Sequence, residues 1–183
     1  MNAPLPSAPV AERARAIRLL ACDVDGVLTD GRLQFLALPA GVIEGKSFSI
    51  LDGFGVKLLQ ETGVTVALIT GRQSDIVERR AREMGVRHVA QGVADKKAAW
   101  STLLEELSLR PEQSAFIGDD WPDLAVIRAC GLGVTVPGAP ELLRRHAHYV
   151  THAAGGAGAV RELCELIMTA QGTLAGRLEA WLQ

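Results

Sequence analysis

A doubly wound α/β fold with a mainly parallel sheet is what this sequence predicts, on three observations. Short apolar runs alternate with helix-like stretches along most of the chain, the β-then-α order that builds a parallel sheet covered by helices. Glycines stand where helix-like stretches stop, at Gly63, Gly85 and Gly131, as helix C-termini prefer. Polar residues gather at the ends of the apolar runs, at Asp23/Asp25, Thr70 and Asp119/Asp120. In an open α/β sheet that edge is where ligands bind.

In chain order, residues 1–10 are rich in Pro and Ala and lack a signal-peptide pattern, so 1–16 are expected to form a flexible tail. The apolar run 17–22, broken only by Arg18, is the first strand, and it ends in Asp23-Val24-Asp25-Gly26. Segments 32–38 and 42–50 flank Pro39-Ala40-Gly41 and predict a projecting β-hairpin over about 32–50. A helix over 54–62 and a strand over 64–69, ending in Thr70-Gly71-Arg72, come next. A helix over 75–84, a strand over 86–90 and a helix over 94–107 follow, with Pro111 beyond. A strand over 114–117 ends in Gly118-Asp119-Asp120; a helix over 123–129, a strand over 132–136 and a helix over 160–170 complete the pattern. Gly155-Gly156-Ala157-Gly158 reads as a lid or tight turn before the last helix, not as a dinucleotide loop. The expected domain is therefore single and Rossmann-like, over 17–171. Its C-terminal tail, 172–183, carries Leu174, Leu178, Trp181 and Leu182 at helical spacing, suited to packing on the core or on a neighbouring subunit.

The 183 residues are 48% hydrophobic and 22% charged, the balance of one folded domain with a proper core. A net charge of −2 leaves no basic footprint for nucleic acid. No apolar run approaches the length of a membrane span. Three cysteines, Cys22, Cys130 and Cys164, are an odd number without metal-type spacing, which fits a reduced, cytoplasmic setting. Cys22, one residue ahead of Asp23, reads as a small buried core residue, and the four histidines share no metal spacing.

Side chains alternate along a strand, so Asp23 and Asp25 leave it on one side, roughly 6–7 Å apart. Such a pair asks for a divalent cation, for acid/base work, or for both. Phosphoryl transfer needs a nucleophile, a proton donor for the leaving group, cations near the phosphate and donors for its oxygens. The chain offers each. Asp23 can attack phosphorus to form an aspartyl phosphate. Asp25 can protonate the leaving oxygen and then activate water. Asp119 can complete a carboxylate site for Mg²⁺ with Asp23, Thr70 can donate a hydroxyl, and Lys96, with its neighbour Lys97 as the competing choice, can neutralise phosphate and acids alike. Asp120 and Asp123 also suit the start of the helix after Trp121-Pro122, with Asp123 placed to orient Lys96.

These residues carry a resemblance. Asp23-Val24-Asp25-Gly26, Thr70, Lys96 and Gly118-Asp119-Asp120…Asp123 resemble the four ordered motifs of the haloacid dehalogenase superfamily of phosphatases. The longer strings Asp23–Gly31, Leu51-Asp52-Gly53-Phe54-Gly55, Ile69-Thr70-Gly71-Arg72 and Gly155–Glu162 resemble its phosphatases for 3-deoxy-D-manno-octulosonate 8-phosphate. The resemblance implies Asp23 as nucleophile, Asp25 as general acid/base, and Mg²⁺ on Asp23, the Asp25 carbonyl and Asp119. It implies phosphate on Thr70, Gly71 and Lys96, and the rest of the substrate near Asp25, Ser49, Ile50, Leu51, Asp52, Gly53, Lys57, Arg72 and Arg80. It places the reaction in lipopolysaccharide precursor synthesis. Leu51 stands where many relatives carry arginine, Ala157 where they carry a basic residue, and His152 where arginine is common. Each change removes a donor for a sugar acid, which keeps another such substrate, 2-keto-3-deoxynonulosonate 9-phosphate, in view. A phospho-accepting receiver module shares the fold class and an Asp, Thr and Lys set. Its acceptor Asp lies on a middle strand, however, without an acid two residues later.

Many superfamily members insert a cap domain over the site. Neither 31–69 nor 97–118 has room for one, since both are filled by predicted elements. The apolar-tipped hairpin (Leu36, Leu38, Pro39) is instead expected to pack against other copies of the chain, and the resemblance implies a homotetramer.

Overall fold

In this computed structural model, which describes residues 7–179, the chain opens on a helix, α1 (Ala8–Arg15), and enters the sheet on β1 (Leu19–Cys22). The hairpin β2 (Gln34–Leu38) and β3 (Gly41–Gly45) leads into α2 (Ile50–Gln60). Then come β4 (Thr65–Ile69), α3 (Asp75–Met84), β5 (His88–Ala90), α4 (Lys96–Glu106) and β6 (Ser114–Gly118). The chain finishes with α5 (Leu124–Ile127), β7 (Leu132–Thr135), α6 (Glu141–His146), β8 (Tyr149–Val150), α7 (Ala159–Ala170) and α8 (Leu174–Glu179).

Six strands form one sheet in the order β5-β4-β1-β6-β7-β8, every neighbouring pair parallel. The chain winds outward from β1 to β4 and β5, then returns to the other side of β1 and winds outward again. The winding therefore reverses at β1, and a crevice opens beyond the C-terminal ends of the central strands. Cys22 pairs with Leu68 of β4 and Ile117 of β6, so the residues that follow all three strands emerge at one edge. The central strands are mostly apolar because helices cover them: every residue of β1, β6 and β7 is buried. Thiols of Cys22, Cys130 and Cys164 are all buried in this interior. Among the described residues no helix is long and apolar enough to cross a membrane.

The structure departs from the sequence expectation in several places. Residues 8–15 of the expected tail are α1, whose Val10 and Ala14 are buried. Gln171 of α7's C-cap donates to the Ala14 and Ile17 carbonyls (3.3 and 2.8 Å) and ties this helix down. The second hairpin strand stops at Gly45, and the helix after it starts at Ile50, not at 54. The Ser49 hydroxyl accepts from the Leu51 N–H (3.2 Å) and caps that earlier start. Ile50, which extended the apparent strand, forms with Leu51 the exposed first turn of α2. The helix expected over 123–129 is a 3-10 turn, Trp121–Asp123, followed by the short α5. Two small elements, α6 and β8, lie where none was expected. Gly85 does end α3, at φ +75°, a left-handed backbone that suits glycine. Of the C-terminal tail, 174–179 is α8, while Trp181 and Leu182 lie outside the described residues.

Candidate active site

The turn after β1 is built by its own sequence. The Val24 carbonyl accepts from the N–H groups of Val27, Leu28 and Thr29 (3.3, 2.9 and 3.1 Å). The buried Thr29 hydroxyl accepts from Gly26 and Gly31 N–H (3.3 and 3.2 Å) and donates to the Val24 carbonyl. Val24, Val27 and Leu28 face the core. Gly26 has φ +89°, and a Cβ there would collide with the Asp119 carboxylate. Gly155 and Gly156 lie backbone to backbone on this turn, with Gly156 N–H donating to the Val27 carbonyl (2.9 Å). The glycine-rich segment is thus a brace under the turn, the tight-turn alternative of the two expected.

Asp23, Lys96, Asp119 and Asp123 meet at the sheet edge. Asp23 continues the β1–β6 ladder, its N–H donating to the Ile117 carbonyl (2.9 Å). Lys96, first residue of α4, places its Nζ 2.8 Å from Asp23 Oδ1 and 2.7 Å from Asp123 Oδ1. Asp123 Oδ2 accepts from the N–H groups of Asp119 and Asp120 (3.0 and 3.2 Å). Gly118 leaves the space that the Asp123 side chain fills. Asp123 therefore fixes Lys96 with one oxygen and the Asp119 backbone with the other. Asp120, by contrast, is exposed and caps the Trp121 N–H (2.8 Å).

Carboxylate oxygens of Asp23, Asp119 and Asp123 lie within 4.8 Å of one another. Burial, then the Asp123 charge, raises the Asp23 pKa to about 6 against the pull of Lys96. Burial, then the charges of Asp23 and Asp123, raises Asp119 to about 8, and its carboxyl shares a hydrogen bond with Asp23. Burial alone would lower Lys96, but Asp23 and Asp123 outweigh it and its pKa rises. Asp123 is committed to Lys96 and two amides, so Asp23 and Asp119 remain as a close, all-oxygen pair. That donor set fits a small hard cation such as Mg²⁺, which would relieve the repulsion between them.

Asp25 leaves this cluster for another. Its Oδ1 meets Lys46 Nζ, and Arg72 Nε stands 3.7 Å from Oδ2. Glu44 joins both cations, its Oε1 3.4 Å from Lys46 Nζ and its Oε2 3.0 Å from Arg72 Nη2. The Lys46 side chain is only 1% exposed. Lys46 and Glu44 were not expected at the site. A signal was present: they are the only charged residues between Arg32 and Asp52, at the i, i+2 spacing that shares one strand face.

Thr70, 2% exposed, ends the segment after β4, and its hydroxyl accepts from the Arg72 N–H (3.4 Å). Gly71 is exposed beside it. Arg80 donates to the Ser49 carbonyl (3.0 Å) and lies over the Phe48 ring, and Gly53 leaves room for its guanidinium. Ile50, Gly53, Lys57 and Arg80 line one cleft of about 330 Å³. Leu51 is 58% exposed on the same first turn of α2. Asp52, expected near substrate, is turned inward and fully buried. It accepts from the N–H groups of Gly158 (3.3 Å) and Arg161 (2.8 Å), because the start of α7 presents unpaired donors there. A larger cleft of about 630 Å³ lies elsewhere, around Gln60, Val64, Met84 and His88, so carboxylate chemistry rather than volume locates the site.

Comparison with known proteins agrees with this geometry. Residues 88–163 match the model of the haloacid dehalogenase-like hydrolases. The 3-deoxy-D-manno-octulosonate 8-phosphate phosphatase of Yersinia pestis is 47% identical over 167 residues, covering 91% of this chain and 88% of that one. A crystal structure of a probable yrbI family phosphatase from Pseudomonas syringae superposes with TM-score 0.93 at 50% identity, over 97% of this chain and 99% of that one. A Moraxella catarrhalis 3-deoxy-D-manno-octulosonate 8-phosphate phosphatase, crystallised with magnesium, phosphate and a KDO molecule, gives TM-score 0.91 at 40% identity, over 96% and 99%.

Proposed function

The chain belongs to the haloacid dehalogenase-like hydrolase family, and we propose that it hydrolyses 3-deoxy-D-manno-octulosonate 8-phosphate to the free sugar acid and phosphate. It is a phosphoric monoester hydrolase with a Rossmann-like, capless fold, and its cofactor is Mg²⁺. One observation carries the reading: Asp23, at the topological switch point, is held by Lys96 and paired with Asp119.

In this reading the Asp23 carboxylate attacks phosphorus, and the bond from phosphorus to the sugar's 8-oxygen breaks. Asp25 gives that oxygen its proton, so the sugar leaves as an alcohol. Asp25, now a carboxylate, takes a proton from water as the water attacks the aspartyl phosphate. The P–O bond to Asp23 breaks, phosphate leaves, and Asp23 is again a carboxylate. Mg²⁺, held by Asp23, Asp119 and the Asp25 backbone carbonyl, would neutralise charge on the phosphate. Lys96 and the Thr70 hydroxyl, with Gly71 beside it, bind the other phosphate oxygens. Asp123 keeps Lys96 in place, while Asp120 only starts the helix. Arg72, Arg80 and Lys57 face the sugar acid beside Ser49, Ile50, Leu51 and Gly53.

The exposed Leu51 brings no donor to that sugar, and this favours a second reading, 2-keto-3-deoxynonulosonate 9-phosphate. Phosphate release from both sugar acid phosphates and from simple hexose phosphates separates the two. The first reading expects the octulosonate ester to show the highest kcat/KM; a preference for the nonulosonate ester would replace it. EDTA should silence turnover and Mg²⁺ restore it.

The hairpin supports self-association. Phe35, Leu36, Leu38, Val42 and Ile43 are 48–69% exposed, and a two-stranded hairpin that leaves its apolar side chains in solvent is marginal alone. A homotetramer with hairpins packed together would bury them and close the uncapped sites, in a cytoplasmic enzyme of lipopolysaccharide precursor synthesis.

A further inference from the structure

We infer that Lys46, reaching in from the hairpin, is the positioning residue that aims Asp25 for proton transfer. The inference rests on the acid/base reading of Asp25 above. The two oxygens of Asp25 differ. Oδ1 is taken by Lys46 Nζ. Oδ2 is buried with no hydrogen-bond partner among the described residues, and Arg72 Nε stands 3.7 Å away. Buried carboxylate oxygens are normally satisfied, so one left bare beside a reactive centre marks a place where another group binds. A proton donor and acceptor needs this division: one oxygen anchored to fix the side chain, the other open to the leaving oxygen and then to water.

Lys46 suits the anchoring part because it has little freedom. Its side chain is 1% exposed. Glu44 sits 3.4 Å from its ammonium and is itself held by Arg72 at 3.0 Å. A lysine buried among two acids and one arginine gives a fixed point, whereas an exposed lysine would sample many rotamers. Glu44 Oε1 likewise has no hydrogen bond, only the ion pair to Lys46. The chain segment that carries Lys46 belongs to no layer of the core domain. It follows β3, so the hairpin is a working part of the site as well as a projecting surface.

A leaving-group comparison tests this. An alkyl phosphate such as octulosonate 8-phosphate needs its leaving oxygen protonated, while p-nitrophenyl phosphate expels a stable phenolate and needs little help. For K46M, kcat/KM on octulosonate 8-phosphate, which covers the steps up to release of the sugar and not the later water attack that both substrates share, should fall about 100-fold, within the range of lost acid/base assistance. KM should hold within about threefold, and the loss on p-nitrophenyl phosphate should be no more than about tenfold. K46R should recover most of the difference, and Mg²⁺ affinity by calorimetry should not move. Equal losses on both substrates, or a loss in KM alone, would overturn the inference. D25N, run beside it, keeps the two readings apart. If D25N also loses both substrates equally, the acid/base reading of Asp25 fails; if D25N discriminates and K46M does not, only the role of Lys46 fails. Should K46M not fold by circular dichroism, E44Q reads the same geometry: a smaller loss with the same substrate selectivity is expected, and equal losses on both substrates refute the role.

Discussion

Asp123 shows how much one buried side chain can organise. It accepts from two backbone amides and from Lys96, so the positions of Asp119 and Lys96 depend on it. Against that fixed frame, D23N should lower turnover by about 10⁴-fold or more while thermal unfolding stays cooperative, because the nucleophile goes and the packing stays. G26A combines a side chain at φ +89° with a collision at Asp119. It should weaken Mg²⁺ binding by at least about tenfold in a calorimetric titration, with Asp119 displaced. The raised carboxyls carry a sign. With Asp119 at about 8 in the folded protein and near 3.8 when unfolded, the folded state binds more protons, so its contribution is lost as pH rises toward 8. In EDTA the urea midpoint should therefore fall between pH 7 and pH 8. D119N should flatten the change, and saturating Mg²⁺ should oppose it because the cation stabilises the ionised pair. A rising midpoint in EDTA would contradict the burial of that acid.

Two helices do more for the site than their distance from it suggests. Asp52 on α2 is buried against the N-terminus of α7, and Gly55 lets Arg161 of α7 lie close. Since Gly155 and Gly156, just before α7, brace the turn after Asp25, the α2–α7 contact also sets the floor of the site. D52A leaves the amides of Gly158 and Arg161 without their acceptor and should cost about 1–3 kcal/mol in denaturant unfolding. Its kcat should fall less than that of D23N. At the other end of α7, α1 contributes Val10 and Ala14 to the core. Removing residues 1–15 should lower stability by about 2–4 kcal/mol, from one lost valine and newly exposed Ile17. An unchanged midpoint would return that segment to the status of a tail.

For the whole molecule, the open question is what covers the hairpin. Its apolar residues point outward on both faces, away from any core, while Lys46 at its base points in. The double variant L36D/I43D should yield a smaller species by light scattering with the domain still folded, and kcat/KM on the sugar acid phosphate should drop at least about tenfold. A variant that keeps its mass, or a wild-type monomer with full activity, would rule out hairpin-mediated assembly.

The β-then-α order, the parallel sheet and the gathering of Asp23, Thr70 and Asp119 at one edge were legible because strand direction and side-chain alternation follow from local pattern. Glycine stops such as Gly85 were legible for the same local reason. What local pattern could not carry was partnership across the chain. Ile50 looked like the end of a strand until Ser49 capped it into a helix. Asp52 looked available to substrate until α7 offered its amides, and residues 8–15 looked loose until α7 gave α1 a surface. Lys46 and Glu44 were plain surface charges until the hairpin folded back toward Asp25. The sequence by itself determined which chemistry this protein can do, since carboxylates, a threonine and a lysine at strand ends are set by residue type and period. Only the tertiary structure decided which acid meets which cation, because those pairings join residues far apart in the chain, and burial sets their strength.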